Sequence, residues 1–240
     1  MPINYRSGNK NSMVPNIRPD VNSDSIRNDN FGRKTSNQGV LARLGSVLES
    51  PRIYLAYQWL VGGLRARHKC IREYIPPEPG LTVLDIGCGP GYVIADFRKP
   101  IYHGFDISAQ YINWAKEKYP DGHFYCQEFD QSALERLPKA DVVLMMGLIH
   151  HLDDAASLAL LQLAKSAMKA SGSLYTMDGC YRVGQSRIAK FFLDEDRGQY
   201  VRNEAGYVDL ARRVFSRVEV SYRDDLFLIP YPSIVLQCRE

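Results

Sequence analysis

Asp85 stands near the end of an apolar run, and glycines follow it at positions 87, 89 and 91. Glycine has no Cβ and accepts positive φ, so such a loop lets a ligand lie close to the backbone. A second acid, Asp106, stands about twenty residues beyond the loop, the separation at which a carboxylate can hold the two hydroxyls of a ribose. Further on, His150 and His151 follow another apolar run. Imidazole titrates near neutral pH, which suits a general base for a hydroxyl nucleophile.

These residues need elements to place them. Residues 81–86 read as a buried strand ending at the glycine loop. Strands are predicted over 101–105, 123–127, 141–146 and 173–177, with helices over 92–98, 108–119 and from Asp153 or Asp154 to about 169. Strands alternating with helices imply a parallel sheet covered on both faces. Helices are also predicted over 186–193 and 204–215. Strands over 218–222 and 234–238 have no helix between them, so they pair antiparallel or lie apart. Ahead of the core, helical spacing covers 40–48 and 52–74, and Gly62-Gly63 can break or bend the second stretch. Pro76, Pro77 and Pro79 then force a linker.

In an open parallel sheet the ligand lies beyond the carboxyl ends of the strands. A dinucleotide fingerprint would place its third glycine at position 92, which is Tyr92. Asp106 does not discriminate, because dinucleotide enzymes use the same position.

Taken in order, the segments resemble the class I S-adenosylmethionine-dependent methyltransferases. Asp85-Ile86-Gly87-Cys88-Gly89-Pro90-Gly91 is similar to the family's first motif, and Gly104-Phe105-Asp106-Ile107-Ser108 to its second-strand acid. Cys126-Gln127-Glu128-Phe129 resembles the end of its third strand. Residues 141–147 with His150-His151-Leu152 resemble its fourth, and residues 160–172 its fifth-helix turn. The resemblance covers roughly residues 81–178 and implies an α/β, Rossmann-like doubly wound sheet. That sheet has seven strands, mostly parallel, with an antiparallel terminal strand.

The resemblance also implies roles within an S-adenosylmethionine site. Gly87, Cys88, Gly89 and Gly91 form the loop, with the first three against the methionine portion. Asp85 orients its amino group, Asp106 binds the ribose and Ile107 flanks the adenine. Glu128 accepts from the adenine amino group, with Asp130 the competing acid. Phe129 offers its backbone N–H and an apolar wall. Met146 or Gly147 meets the methionine end through the backbone. His150 or His151 is the candidate base.

Of the 240 residues, 24% are charged and 45% hydrophobic, with a net charge of +3, so no strong nucleic-acid or membrane footprint appears. No apolar run reaches the ~18 residues that a membrane span needs. Cys70, Cys88, Cys126, Cys180 and Cys238 form no C-x-x-C pair, so neither a metal site nor a disulfide framework is expected, and the composition suits the reducing cytoplasm.

Residues 1–38 are rich in Asn, Ser, Arg and Asp and read as a disordered or loosely ordered arm. Residues 39–240 then form the catalytic domain. Within it, 39–79 is a helical lid, 80–178 the cofactor-binding core and 179–240 the acceptor side with the last strands. Tyr54, Tyr57 and Trp59 of the lid are candidates to reach the site. Asp178, Tyr181, Arg182, Arg187, Arg197, Tyr200 and Arg202 give the acceptor side an Arg/Tyr-rich character that suits an anionic acceptor.

The expected activity is methyl transfer to a small molecule, at a hydroxyl oxygen, such as that of a sugar or other biosynthetic precursor. Two other readings stay open: a non-catalytic S-adenosylmethionine-binding protein, and an NAD-dependent oxidoreductase, which Tyr92 disfavours. Nucleic acid is not expected as a substrate. The sequence leaves the oligomeric state open.

Overall fold

The computed structural model describes residues 50–196 and 198–240. The expected arm over 1–38 and helix over 40–48 lie outside the described residues, as does Arg197. The helical stretch before the core is two helices, α1 (Pro51–Val61) and α2 (Gly63–Tyr74). The break falls at Gly62, whose φ of 82° closes one helix and opens the next. Pro51 occupies the first turn of α1, where its missing N–H is not needed.

The core alternates as expected. β1 (Thr82–Ile86), β2 (Ile101–Asp106), α3 (Ala109–Lys118), β3 (His123–Cys126), α4 (Gln131–Arg136), β4 (Ala140–Met146), α5 (Asp154–Ala167) and β5 (Met168–Tyr181) follow in turn. Then come α6 (Arg187–Asp194), a two-residue β6 (Arg202–Asn203), α7 (Glu204–Arg212), β7 (Arg217–Arg223) and β8 (Ser233–Arg239). Ser108, Asp130, Asp153, Ser186 and Asn203 each cap a following helix by accepting from a backbone N–H in its first turn.

The sheet order is β3-β2-β1-β4-β5-β8-β7, with β6 off this path against the end of β5. β1 pairs in parallel with β2 on one side and β4 on the other. The chain winds outward from β1 to β3 and then restarts at β4, so the switch point lies beyond the ends of β1 and β4. β8 enters between β5 and β7, antiparallel to both. The seven-strand row with an antiparallel last strand is as the sequence implied, and β6 is an addition to it.

Every residue of β1 is buried. Leu84 and Ile86 pack with Leu161, Leu210 and Phe215 from α5, α7 and the segment after it. Val83 packs on the other face with Ala66, Cys70 and Ile71 of α2 and with Ile112 and Ala115 of α3. Such two-sided burial is why these strands read as continuous apolar runs. α2 is therefore part of a core layer as well as a cover. Among the described residues, no helix is long and apolar enough to cross a membrane.

Two expectations need adjustment. Residues 92–98 form only a single 3-10 turn, Tyr92–Asp96. β5 begins at Met168, five residues earlier than expected, with an irregular register opposite Ala140–Val142. His103 is buried within β2, pairing with Leu84 of β1 and His123 of β3. Burial, with His123 stacked at 5.0 Å, lowers its pKa.

Candidate active site

The loop after β1 is fastened to the end of β2. The amides of Gly87 and Cys88 donate to the Phe105 carbonyl at 2.8 and 2.9 Å. The amide of Gly89 donates to Asp106 Oδ2 at 2.9 Å, and that of Ser108 to Asp106 Oδ1 at 2.8 Å. One carboxylate thus ties the loop to the start of α3. Burial raises the pKa of Asp106, and the two amide donors oppose that rise.

Two loop glycines have different surroundings. Nothing lies closer than 4.0 Å to where a Cβ of Gly89 would stand, and the atom at that distance is Cε1 of Tyr54. At Gly91, φ is +71° and a Cβ would meet Phe124 at 2.5 Å. Gly89 therefore borders open space roofed by α1, whereas Gly91 serves packing. Of the lid aromatics, Tyr54 stands over the loop, while Trp59 is 71% exposed.

Asp85 is buried below the loop and accepts from the Tyr102 hydroxyl at 2.5 Å. Desolvation pushes its pKa up to about 7, against the opposing effects of Tyr102 and Arg67. Cys88 is buried and its thiol is pushed up by desolvation. Ile107 is 73% exposed next to Asp106. Beyond β3, Glu128 is exposed. Asp130 is committed to capping α4, accepting from Ala133 N at 2.8 Å. The Phe129 side chain lies in the core, edge-on to Phe105 with ring centroids 5.2 Å apart.

Beyond β4, the Met146 carbonyl accepts from Arg67 Nη2 at 3.2 Å, and Gly147 N donates to the Met177 carbonyl at 2.7 Å. Arg67 comes from α2 and also donates to Gln58 Oε1 at 3.0 Å. Burial disfavours its charge, but Tyr92, Tyr54 and Asp85 outweigh that and raise its pKa. The Tyr92 hydroxyl is buried and lacks a hydrogen bond of good geometry. A cation, an orphaned hydroxyl and an open glycine loop therefore meet at one end of the cradle.

His150 closes the other side of the crevice. It is buried, its Nδ1 lies 2.8 Å from Asp178 Oδ1, and its backbone N–H donates to the same oxygen at 3.2 Å. Asp178 lies near the carboxyl end of β5, and its other oxygen is buried without a partner. The Nε2 of His150 lies 3.3 Å from Asp196 Oδ1. Asp196 in turn accepts from Gly198 N at 2.6 Å and from the Tyr231 hydroxyl at 2.8 Å. Burial lowers the pKa of His150, but Asp196 and Asp178 outweigh it, so the net shift is upward. Burial alone would raise Asp196, yet His150, Gly198 N and Tyr231 pull it down. A Cβ on Gly198 would overlap the imidazole, so the backbone there lies flat against His150. His151 is exposed, its ring 4.3 Å from that of His150.

The arginines expected to gather at the acceptor side do not come together. Arg202 is spent on Asp154, at 2.7 and 2.9 Å, and on the carbonyls of Ile149, Leu152 and Tyr200. Arg187 is exposed on α6. Arg182 stacks over Tyr222, 4.6 Å from the ring centroid. Tyr181 donates to Asp194 at 2.8 Å. Asp153 caps α5 and Asp154 holds Arg202.

Sequence reasoning missed Arg67, Asp196 and Tyr231. Arg67 left one signal: it shares a helix face with the buried Gly63, Ala66, Cys70 and Ile71, where a charge is out of place. Asp196 and Tyr231 left none, because their meaning depends on each other across the fold.

Comparison with known proteins adds to this geometry. Residues 83–172 match a family described as a methyltransferase domain. No curated protein matches the sequence. Among solved structures, the pyocyanin biosynthetic protein PhzM is similar at 19% identity and a TM-score of 0.56, over 73% of this chain and 55% of that one. The mitomycin 7-O-methyltransferase MmcR is similar at 20% identity and 0.55, over 83% and 56%. An N-methyltransferase of Haemonchus contortus, solved with phosphomonomethylethanolamine and S-adenosylhomocysteine, is similar at 22% and 0.57, over 75% and 45%. The matched region spans about half the length of each of these three proteins.

Proposed function

We propose that this chain is a class I S-adenosylmethionine-dependent methyltransferase, a reading supported by the match of residues 83–172 to a methyltransferase domain, and that it transfers the methyl group to a hydroxyl oxygen of a small molecule. The observation that carries the oxygen assignment is His150, held on Nδ1 by Asp178 at the carboxyl end of the sheet, across the crevice from the glycine loop. S-adenosylmethionine, when bound, supplies an electrophilic methyl on a cationic sulfur that keeps the electron pair of the broken bond.

The residues present fit that group. Gly89 borders open space, and Asp106 keeps lone pairs for the ribose hydroxyls after accepting two amides. Ile107 offers an exposed apolar surface for the adenine, and Glu128 is the free-standing acid at that end because Asp130 caps a helix. Arg67 and the orphaned Tyr92 hydroxyl suit the carboxylate of the methionine end. Asp85, with its raised pKa, becomes charged when an ammonium stands near it.

The remaining work falls to orientation and one proton. Alignment of the acceptor oxygen supplies much of the rate. Asp178 fixes the imidazole with Nδ1–H toward it, leaving Nε2 to accept the hydroxyl proton. Asp196 occupies that position now, so the acceptor hydroxyl takes its place during turnover. Of the lid expected over 39–79, the described residues 50–79 act through Tyr54 and Arg67, and residues 179–240 supply the acceptor side.

Thermal-shift measurement with S-adenosylhomocysteine and with NAD tests the cofactor. Acceptor screening with methyl-labelled S-adenosylmethionine then tests the reaction. Stabilisation by S-adenosylhomocysteine and label in an O-methyl product are expected. Stabilisation by NAD alone would overturn the reading.

A further inference from the structure

A cavity of about 650 Å³ opens at the same sheet edge, between the turn after β5 and the segment joining β7 to β8. It is within the size range of small-molecule sites. Aromatic faces line it: Tyr222, and the pair Phe227 and Tyr231, whose centroids are 4.8 Å apart. Planar polar groups stand among them. Arg182 lies over Tyr222, Asp224 carries the opposite charge, and Gln185 accepts from Arg182 N at 2.5 Å. The Gln185 amide nitrogen is buried with no hydrogen-bond partner.

Guanidinium, carboxylate and carboxamide each present two donors or acceptors side by side, which matches neighbouring hydroxyls on a ring. An aromatic face suits the C–H face of such a ring. One cation and one anion in the lining give no net preference for a charged ligand. Aromatic faces alone would suit an aromatic acceptor, but such an acceptor would leave the paired polar groups unmatched.

One lining residue also connects the cavity to the base. Tyr231 lines it, and its hydroxyl holds the Asp196 that covers His150 Nε2. A molecule seated against Tyr231 would thus press on the residue that holds this carboxylate in place.

We propose that this cavity is the acceptor site and that it takes an uncharged sugar ring, with Arg182, Gln185 and Asp224 as the residues that select it. The proposal rests on the methyl-transfer reading and names the acceptor class for it.

Saturation-transfer difference NMR on the full chain, saturated with S-adenosylhomocysteine, provides the test. The probes are the methyl pyranosides of the common hexoses, glucose 1-phosphate and 4-hydroxybenzoate. At least one methyl pyranoside should receive saturation. Its affinity should fall about tenfold in Arg182→Ala and in Asp224→Asn, the loss expected for a hydrogen bond to a charged group. Melting curves establish that both variants are folded, and calorimetry should give them an unchanged affinity for S-adenosylhomocysteine.

The proposal is overturned if no pyranoside is saturated, if binding survives in both variants, or if 4-hydroxybenzoate or glucose 1-phosphate binds tenfold more tightly than every pyranoside. Absence of S-adenosylhomocysteine binding would instead overturn the methyl-transfer reading and leave the sugar result to be judged separately.

Discussion

The two sides of the crevice are built in different ways. On the cofactor side, the hydrogen bonds that hold the glycine loop join residues of adjacent strands, with Arg67 and Tyr54 reaching in from the helices before the core. Gly87, Cys88 and Gly89 hang on Phe105 and Asp106, and Ser108 turns back to Asp106. On the acceptor side, contacts join segments far apart in the chain. Asp196 meets His150 and Tyr231, Tyr200 N donates to the His150 carbonyl, and Leu228 N donates to the Val61 carbonyl. The first side is a backbone scaffold set by a strand and its turn. The second is a set of side chains held by one another, without a regular element behind Asp196. Binding and chemistry should therefore respond to different mutations.

His150→Ala gives the largest expected separation. Loss of a positioned general base should lower turnover by about 10²–10⁴-fold. S-adenosylhomocysteine affinity should change far less, because the imidazole nitrogens of His150 are engaged with Asp178 and Asp196 and not with the glycine loop. The check is turnover with labelled S-adenosylmethionine, paired with calorimetry. Turnover that survives would remove the base from the mechanism, and a matching loss of affinity would collapse the distinction between the two sides.

Asp106→Ala should do the reverse. The tie to Gly89 is lost, and with it the proposed charged hydrogen bonds to the ribose, so S-adenosylhomocysteine should bind at least about tenfold more weakly by calorimetry. An unchanged affinity would show that the loop is held without this carboxylate. The rate at saturating cofactor should change much less than in His150→Ala.

The same contrast governs what the sequence could reveal. β1, its glycine loop and Asp106 were legible because a strand period and a fixed spacing encode them locally. Ser108 was legible as a helix start for the same reason, and Asp153 as one of two candidates with Asp154. The missing helix between β7 and β8 left two options, antiparallel pairing or separation, and the structure shows the pairing. The role of Asp178 toward His150 was not legible, because parallel pairing of β4 with β5 is what brings them together. The Arg/Tyr pattern after β5 suggested one anion site, yet Arg202 is consumed by Asp154 and backbone carbonyls while Arg182 lines a separate cavity. Counting charges along the chain cannot distinguish these fates.

Asp196→Asn probes the acceptor side at smaller amplitude. Asp196 and Asp178 raise the His150 pKa against the effect of burial. A charged imidazole cannot take a proton, so turnover should rise with pH through that elevated pKa. Removing the Asp196 charge should move the rising limb to lower pH. The linked stability has the opposite trend. The ion pair is fully present below the unfolded His value of about 6.5 and is lost as pH rises through the folded value. The asparagine variant should therefore lose thermal stability mainly at low pH. A pH–rate profile and melting curves on the same protein check both signs, and a limb that does not move would detach Asp196 from the base.

Asp85→Asn tests the cofactor side most finely. Burial holds the Asp85 pKa at about 7, well above the ordinary 3.8. An acid raised on folding stabilises the protein fully below its unfolded value, and that contribution disappears as pH rises from about 4 to 7. Without a ligand, the wild type should thus lose stability across this window. The asparagine variant should lose less, since its neutral amide can still accept from Tyr102. If the ammonium of the methionine end sits near Asp85, binding should restore its charge and release a proton. Calorimetry of S-adenosylhomocysteine near pH 6 in buffers of different ionisation enthalpy would then show proton release in the wild type and its loss in Asp85→Asn. Equal proton release in both proteins would place the ammonium elsewhere. The carboxylate would then be a structural partner of Tyr102, and the cofactor side would rest on the loop and Asp106.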